Sequence, residues 1–391
     1  MYTEFLEYCK KTYPEFKDVF EKESLSPNLF SFQTVTIPET AFLKIKNFVQ
    51  AAYHLRNNIS YQKQILGHEA LNPHKSVLMS FDFHLVDGQP KLIEINTNAS
   101  HFLTSKMMES FVLSKLNKES PFPNAIEKLK DSFFNEWKLF SNKILKTICI
   151  VDEEPENQRA YFEFLLFKKM FESMGLNVSI EDYKDLKWSG SSLLNLRDEE
   201  INLVYNRSTD FYFDTGNSSA LKKAYETKTS CITPQPEEYK LLADKERLRD
   251  FSRLGFLENY LADDEVNLFN EVLLELIDVT SEHKDQIWSQ RKKYFFKPKN
   301  SFGGKGVYKG ESITHKVFDQ IIQAGNYVAQ EFAPPPTIPI PDQVNHMIPA
   351  KYDLRFYVYD GEIQFATARA YVGQTTNFRT LGGGFAAVLI E

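Results

Sequence analysis

Cysteine is scarce in this sequence: Cys9, Cys149 and Cys231 are the whole set, odd in number and widely spaced. That excludes a disulfide framework and a CxxC metal site, and it fits a reducing compartment, so a cytoplasmic protein is expected. Histidine offers little more. The eight histidines include no HExxH, and His68 and His74 in "GHEALNPH" are six apart, a poor metal spacing on helix or strand. No apolar run approaches the roughly 18–20 residues that span a bilayer. The opening "MYTEFLEYCKK" lacks a signal-peptide core, so no membrane partner is expected. Basic excess is missing too. Forty-six Lys and Arg against 53 Asp and Glu give a net charge of −7, which excludes the broad positive field of a nucleic-acid binder but leaves a local phosphate site open.

What is present is ordinary globular material: 391 residues, 42% hydrophobic and 25% charged, enough for two or more packed units. Residues 1–75 read mostly as helix, above all "ETAFLKIKNFVQAAYHLRNN", whose apolar residues recur three and four apart. "SVLMSFDFHL" and "KLIEINT" read as strands, and "VDGQP" between them carries the Asp-Gly signal of a hairpin. Two helices follow. Near residue 146 the rhythm changes: "KTICIVD", "RAYFEFLLFKKMFESMG", "LNVSIED" and "INLVYNR" read strand, helix, strand, strand. That pattern implies a small α/β unit with a parallel sheet, left through "CITPQPEEY". Beyond it come a helix over "EYKLLADKERLRDFSRLG", strands at "KYFFKPK", "GKGVYKG" and "NYVAQEFAP", a Pro-rich loop "PPPTIPIPDQVNHMIPA" and a second Asp-Gly hairpin, "DLRFYVYDGEIQFATARAYVG". An α/β (α+β) fold in three parts is expected, 1–145, 146–235 and 236–391.

Two stretches carry chemistry. In "LIEINTNAS" Glu94 and Asn96 share one face of an apolar strand, where a carboxylate costs several kcal/mol unless a cation meets it. In "FFKPKNSFGGKGVYKG" a strand delivers Lys297, and Gly303, Gly304 and Gly306 let backbone N–H groups approach phosphate oxygens. It is not a Walker A loop, and alone it reads equally as a lysine-bearing hairpin.

Together with Lys245 in "ADKERL", Gln330-Glu331-Phe332 in "AQEF" and Arg355 in "DLRF", this set resembles the ATP-grasp fold. The resemblance implies that Lys245 and Lys297 hold the α- and β-phosphates. A loop containing Gly303, Gly304 and Lys305 would close over the triphosphate. The backbone of Gln330, Glu331 and Phe332 would meet adenine at a strand edge, and Arg355 would reach the γ-phosphate. The family's metal strands, an acid and then E-x-N, are Asp82, Glu94 and Asn96 here, near the front of the chain. That order is similar to the circularly permuted, eukaryotic-type glutathione synthetases. So are "LIEINTNAS", "EEPENQRAYFEF", "INLVYNRSTDFY" and "LGGGFAAV". The likeness implies ATP and two Mg²⁺ ions as cofactors, small-molecule acid and amine partners, an inserted substrate-binding domain, and a homodimer by analogy.

It further implies substrate contact at Asn98, Ser100, Asn157, Gln158, Arg207, Gly383 and Gly384, and a lid "GQTTNFRTLGGGFAA", with Arg379 inside it, or Arg369 just before it, meeting carboxylate or phosphate. Asn157 and Gln158 read equally as helix caps, and Arg207 as an ordinary ion-paired arginine. Two departures matter. The third metal ligand of the family, a loop glutamate, is Ser301, so Asp82 would have to serve. The arginine that grips substrate carboxylate is Ser80. For Asp82 to share a face with Glu94, the hairpin needs a three-residue turn or a bulge. The expected activity is ATP-dependent carboxylate–amine ligation through an acylphosphate, with γ-glutamylcysteine and glycine the first pair to test. A ligase for another acid and amine, or a nucleotide-binding regulator, are the alternatives.

Overall fold

A computed structural model describes residues 1–70, 72–299, 306–342, 346–374, 376–378 and 382–391. Ser301, Gly303, Gly304, Lys305 and Arg379 lie outside the described residues. The strands of the first part are β1 (Phe30–Ile37), β2 (Met79–Val86) and β3 (Gln89–Asn96). Next come β4 (Thr147–Asp152), β5 (Asn177–Asp182), β6 (Lys187–Trp188), β7 (Leu193–Leu194), β8 (Leu203–Asn206) and β9 (Cys231–Thr233). The last part supplies β10 (Leu276–Asp278), β11 (Tyr294–Pro298), β12 (Tyr308–Lys309), β13 (Tyr327–Glu331) and β14 (Thr337–Pro341). It ends with β15 (Met347–Tyr359), β16 (Glu362–Tyr371) and β17 (Gly384–Ile390).

The main sheet runs β1-β17-β16-β15-β2-β3, with β14 also on β15. Strands from the front of the sequence therefore share a sheet with strands from its end: β1 lies parallel to β17, and β2 antiparallel to β15. A second sheet, β10-β13-β11-β12, carries the Lys297 strand. The third, β5-β4-β8-β9, is parallel throughout, as the strand and helix spacing implies, and the small β6–β7 ribbon stands apart. Helix Tyr161–Ser173 packs on this third sheet, and Gly175 just beyond its end sits at φ +81°, where glycine is the cheapest residue.

The Glu136 side chain, on the helix Ala125–Phe140, ties three regions together. Its carboxylate accepts from the N–H groups of Lys75 and Ser76, from Thr233 Oγ1 on β9 and from Tyr359 O–H on β15, at 2.7–3.0 Å.

Three expectations about elements need correction. Residues 30–37, read as part of a helical region, form β1, because its inner residues Phe30, Val35 and Ile37 bury against the sheet. The Pro-rich loop is in part a strand: β14 pairs with the start of β15 and sets Pro339 opposite Pro349, which an edge position allows because proline has no N–H to give a ladder. The helix expected over 238–255 is interrupted. A π-helical turn, Tyr239–Ala243, stops at Asp244, whose extended backbone begins a new helix, Lys245–Phe251.

Candidate functional site

Asp87 and Gly88, at φ +50° and +77°, make the two-residue turn that Asp-Gly favours, pairing Val86 with Gln89. Continued regularly, that register would set Asp82 opposite Ile93 and send Glu94 to the other face. A bulge between Asp82 and Phe83 shifts it, so Asp82 faces Glu94 and Ser80 faces Asn96. The bulge, and not a three-residue turn, meets the requirement. It also frees the Ile93 carbonyl, which accepts from Gln330 Nε2 of the second sheet at 3.1 Å.

Across the sheet, β15 places Arg355 opposite Asp82 and Asp353 opposite Arg369 of β16. Asp82 is fully buried, and five donors converge on its carboxylate. Arg355 donates through Nε and Nη2 at 2.9 and 2.7 Å, and Arg369 through Nη2 at 2.8 Å. Asn96 Nδ2 follows at 3.2 Å and Ser80 Oγ at 3.3 Å. Burial alone would raise its pKa, but the two arginines hold it down at about 2. Asp82 thus does not fit the role of metal ligand, since its lone pairs are spent on guanidinium and amide groups. Its bond to the Asn96 nitrogen instead leaves Asn96 Oδ1 as the free acceptor.

Arg369 also donates through Nε to Asp353 at 2.6 Å, and Asp353 accepts from Thr376 Oγ1 at 2.5 Å. Arg355 and Arg369, expected to reach phosphate, are therefore held in the sheet by carboxylates. Among the described residues only their Nη1 groups are without a hydrogen bond.

Glu94 faces a second group of cations. Lys245 is the first residue of its helix, set there by the Asp244 cap, and its Nζ donates to the Lys299 carbonyl at 3.5 Å. Lys297 projects from β11 with no carboxylate within 4.0 Å among the described residues. Burial lowers the Lys245 pKa against the pull of Glu94 and Asp244. Burial, with Lys245 adding to it and Glu94 opposing, pushes Lys297 down to about 8. Both lysines and Glu94 line one cleft with Ile93, Leu248, Leu276, Val328 and Gln330. Counting the arginines, four cationic side chains stand among four carboxylates, Asp82, Glu94, Asp353 and Asp244, and of these Asp82 and Asp353 are already engaged by the arginines. Among the described residues no three His, Cys, Asp or Glu side chains are arranged to hold a metal. Glu94 with the Asn96 amide oxygen is the donor set that fits Mg²⁺, which accepts one or two protein oxygens when phosphates and water fill the rest.

The adenine expectation needs correction. β13 is an inner strand, between β10 and β11, so Gln330, Glu331 and Phe332 present no open edge. Glu331 N–H donates to the Glu275 carbonyl at 2.9 Å and Phe332 N–H to the Lys293 carbonyl at 2.6 Å.

In the tail of β3, Asn98 Nδ2 donates to the Ser208 carbonyl at 2.6 Å, and Arg207 Nη1 to the Ala99 carbonyl at 3.2 Å. The Ser100 carbonyl accepts from Tyr357 O–H at 2.6 Å. Arg207 is buried against Phe164 and Tyr205, and among the described residues it makes no direct ion pair, although its charge opposes the rise that burial gives the pKa of Asp152 and Glu163. Asn157 and Gln158 bond within their own turn, to Glu154 and the Glu153 carbonyl, and neither caps the helix, whose N-cap is Ala160. Gly383 directly precedes β17. Gly384 has a structural reason to be glycine: at φ +103°, a Cβ there would lie 2.4 Å from the Leu29 carbonyl.

Sequence reasoning missed Asp353, although alternation from Arg355 in "DLR" puts both on one face. It also missed the apolar walls Leu248, Leu276 and Val328. Leu248 lies one turn from Lys245, whereas nothing local marks Leu276.

No family model and no curated protein matches the chain. Solved structures do. A glutathione synthetase-like effector from Globodera pallida, in its apo form, superposes with a TM-score of 0.61 at 13% identity, over 92% of this chain and 89% of that one. A putative gamma-glutamylcysteine synthetase from Methylobacillus flagellatus KT does so with a TM-score of 0.53 at 9% identity, over 89% and 87%. At such identities the likeness shows the fold alone: the mixed α/β architecture that these two structures share with this chain.

Proposed function

We propose that the protein is an ATP-dependent carboxylate–amine ligase of glutathione-synthetase type, with the ATP-grasp order circularly permuted. One observation carries the reading. Lys245 and Lys297, from a helix and a strand distant in sequence, meet around Glu94 in a single cleft with apolar walls. Cations for phosphate, apolar surface for a flat base and a carboxylate with a neighbouring amide oxygen for Mg²⁺ are what a nucleotide site needs. The placement of the front hairpin, β2–β3, beside β15 supports the permuted order.

In this reading a substrate carboxylate attacks the γ-phosphate, giving an acylphosphate and ADP, and an amine then displaces phosphate to leave an amide. Lys245 and Lys297 hold the phosphates, while Arg355 and Arg369, pre-oriented by Asp82 and Asp353, turn their Nη1 groups to transferring oxygens. Such chemistry rests on positioning and charge neutralisation. Mg²⁺ on Glu94 and Asn96 would screen phosphate charge. The acid would lie between Asn98–Ser100 and Arg207.

Ser80 favours a second reading of the acid. Its hydroxyl is turned to Asp82, so it brings no cation to a substrate carboxylate, and an acid other than γ-glutamylcysteine suits the site as well. ADP release with Mg²⁺ across a matrix of acids and amines, starting from γ-glutamylcysteine plus glycine, tests both. Turnover with any pair supports the ligase. A chain that neither binds Mg·ATP nor releases ADP with any pair overturns it.

A further inference from the structure

The segment following β8 touches more of the site than a substrate loop requires. At its start, Arg207 and Ser208 bond to the hairpin tail at Ala99 and Asn98. Four residues on, the Phe211 ring lies flat on Tyr239, with centroids 4.1 Å apart and planes inclined by 5°. Tyr212 then donates its hydroxyl to Asp244 Oδ2 at 2.5 Å.

Asp244 is the residue that ends the π-helical turn and caps the next helix, its Oδ1 accepting from Glu246 N–H at 2.9 Å. One oxygen of this carboxylate thus fixes the helix start, and the other is held from the inserted domain. The first residue of the capped helix is Lys245.

We infer that Tyr212 is a positioning residue, which sets Lys245 through Asp244 and so links the strand segment that meets the acid to the lysine that meets nucleotide phosphate. The inference rests on the ligase reading for the role of Lys245. Its physical basis is local. A cap fixes the φ and ψ of the residue it precedes, and a hydrogen bond to a carboxylate in a half-buried place is among the stronger neutral–charged contacts. The π-helical turn beside it is a backbone form that recurs at functional sites.

The test uses the full chain with Mg²⁺ and a non-hydrolysable ATP analogue, AMP-PNP. Tyr212→Phe keeps the ring against Tyr239 and removes only the hydroxyl. It is expected to weaken Mg·AMP-PNP binding by roughly five- to tenfold in calorimetry, less than the whole of one lost charge-assisted hydrogen bond because the effect reaches Lys245 through Asp244. Acetylation mapped by mass spectrometry gives a second readout. Nucleotide protection of Lys245 should fall in the variant while protection of Lys297 persists. Asp244→Ser, which keeps a capping oxygen but offers Tyr212 no carboxylate, should reproduce the loss even though it removes a negative charge beside the site.

Unchanged affinity in Tyr212→Phe, or equal loss of protection at both lysines, overturns the inference. Tighter binding in Asp244→Ser does so as well. A parent protein that fails to bind Mg·AMP-PNP at all removes the ligase reading, and this inference with it.

Discussion

At the scale of single residues, the site separates groups with similar charges into different tasks. Glu94 accepts no hydrogen bond among the described residues, whereas Asp82 accepts five. Replacing Glu94 by Ala should therefore abolish ADP release and leave the thermal midpoint nearly unchanged. Asp82→Asn should instead destabilise the fold by about 3–5 kcal/mol in urea denaturation, because two buried arginines lose their shared anion. The sign of the acid response follows. Asp82 in the folded chain titrates at about 2, below its ordinary 3.8, so its contribution is present above 3.8 and is lost as pH falls through 2. The urea midpoint of the parent should drop over that window, and the drop should be smaller in Asp82→Asn. For Lys297, held at about 8, the ammonium is charged at neutral pH and is lost above 8. Mg·AMP-PNP affinity should weaken as pH rises from 7 to 9.5, and Lys297→Arg should flatten that profile. Strand alternation made Glu94 and Asn96 legible in the sequence, and the Gly-rich turn after its strand marked Lys297, while Lys245 was singled out by the family resemblance alone. The partners of Asp82 were not, because Arg355 lies 273 residues away and only the sheet register joins them.

At the scale of elements, local signals served well where a turn was at stake and poorly where the neighbour decided. Asp-Gly at 87–88 marked the hairpin, but the turn alone gives the wrong register, and the bulge that corrects it has no signature beyond the need to place Glu94. "QEF" was readable as a strand, yet its inner place between β10 and β11 depends on short, featureless β10. The prolines of β14 hid a strand because propensity argues against one, and its pairing with β15 alone among the described strands makes it tolerable. Gly384 was legible as a glycine that matters, for a different reason from the one expected. A Cβ would meet the backbone of Leu29 and Phe30, so Gly384→Ala should cost about 1–3 kcal/mol in denaturation. Loss of catalysis at unchanged stability in that variant would restore the substrate role.

At the scale of the whole molecule, the alternation of strand and helix near residue 146 made the parallel sheet β5-β4-β8-β9 legible, but not how firmly it is joined to the rest. Glu136 supplies one joint, accepting from the 75–76 loop, from β9 of the parallel sheet and from β15 of the main sheet at once. Glu136→Ala strands four donors in the interior. Calorimetry should show the midpoint falling and the unfolding profile broadening or splitting relative to the parent as the β5-β4-β8-β9 sheet uncouples from the main sheet; a profile unchanged from the parent's would deny the joint. The order of strands in the main sheet has a further consequence, in time. On the ribosome the β2–β3 hairpin emerges some 260 residues before β15, and β1 waits longer still for β17. At about 5–20 residues per second, that is roughly 15 to 50 s in which the hairpin has a bare edge and an acid with no arginine to meet it. The protein's most demanding pairing is thus between its earliest and latest strands, and a nascent chain halted anywhere before residue 384 carries an open sheet that invites capture by other chains.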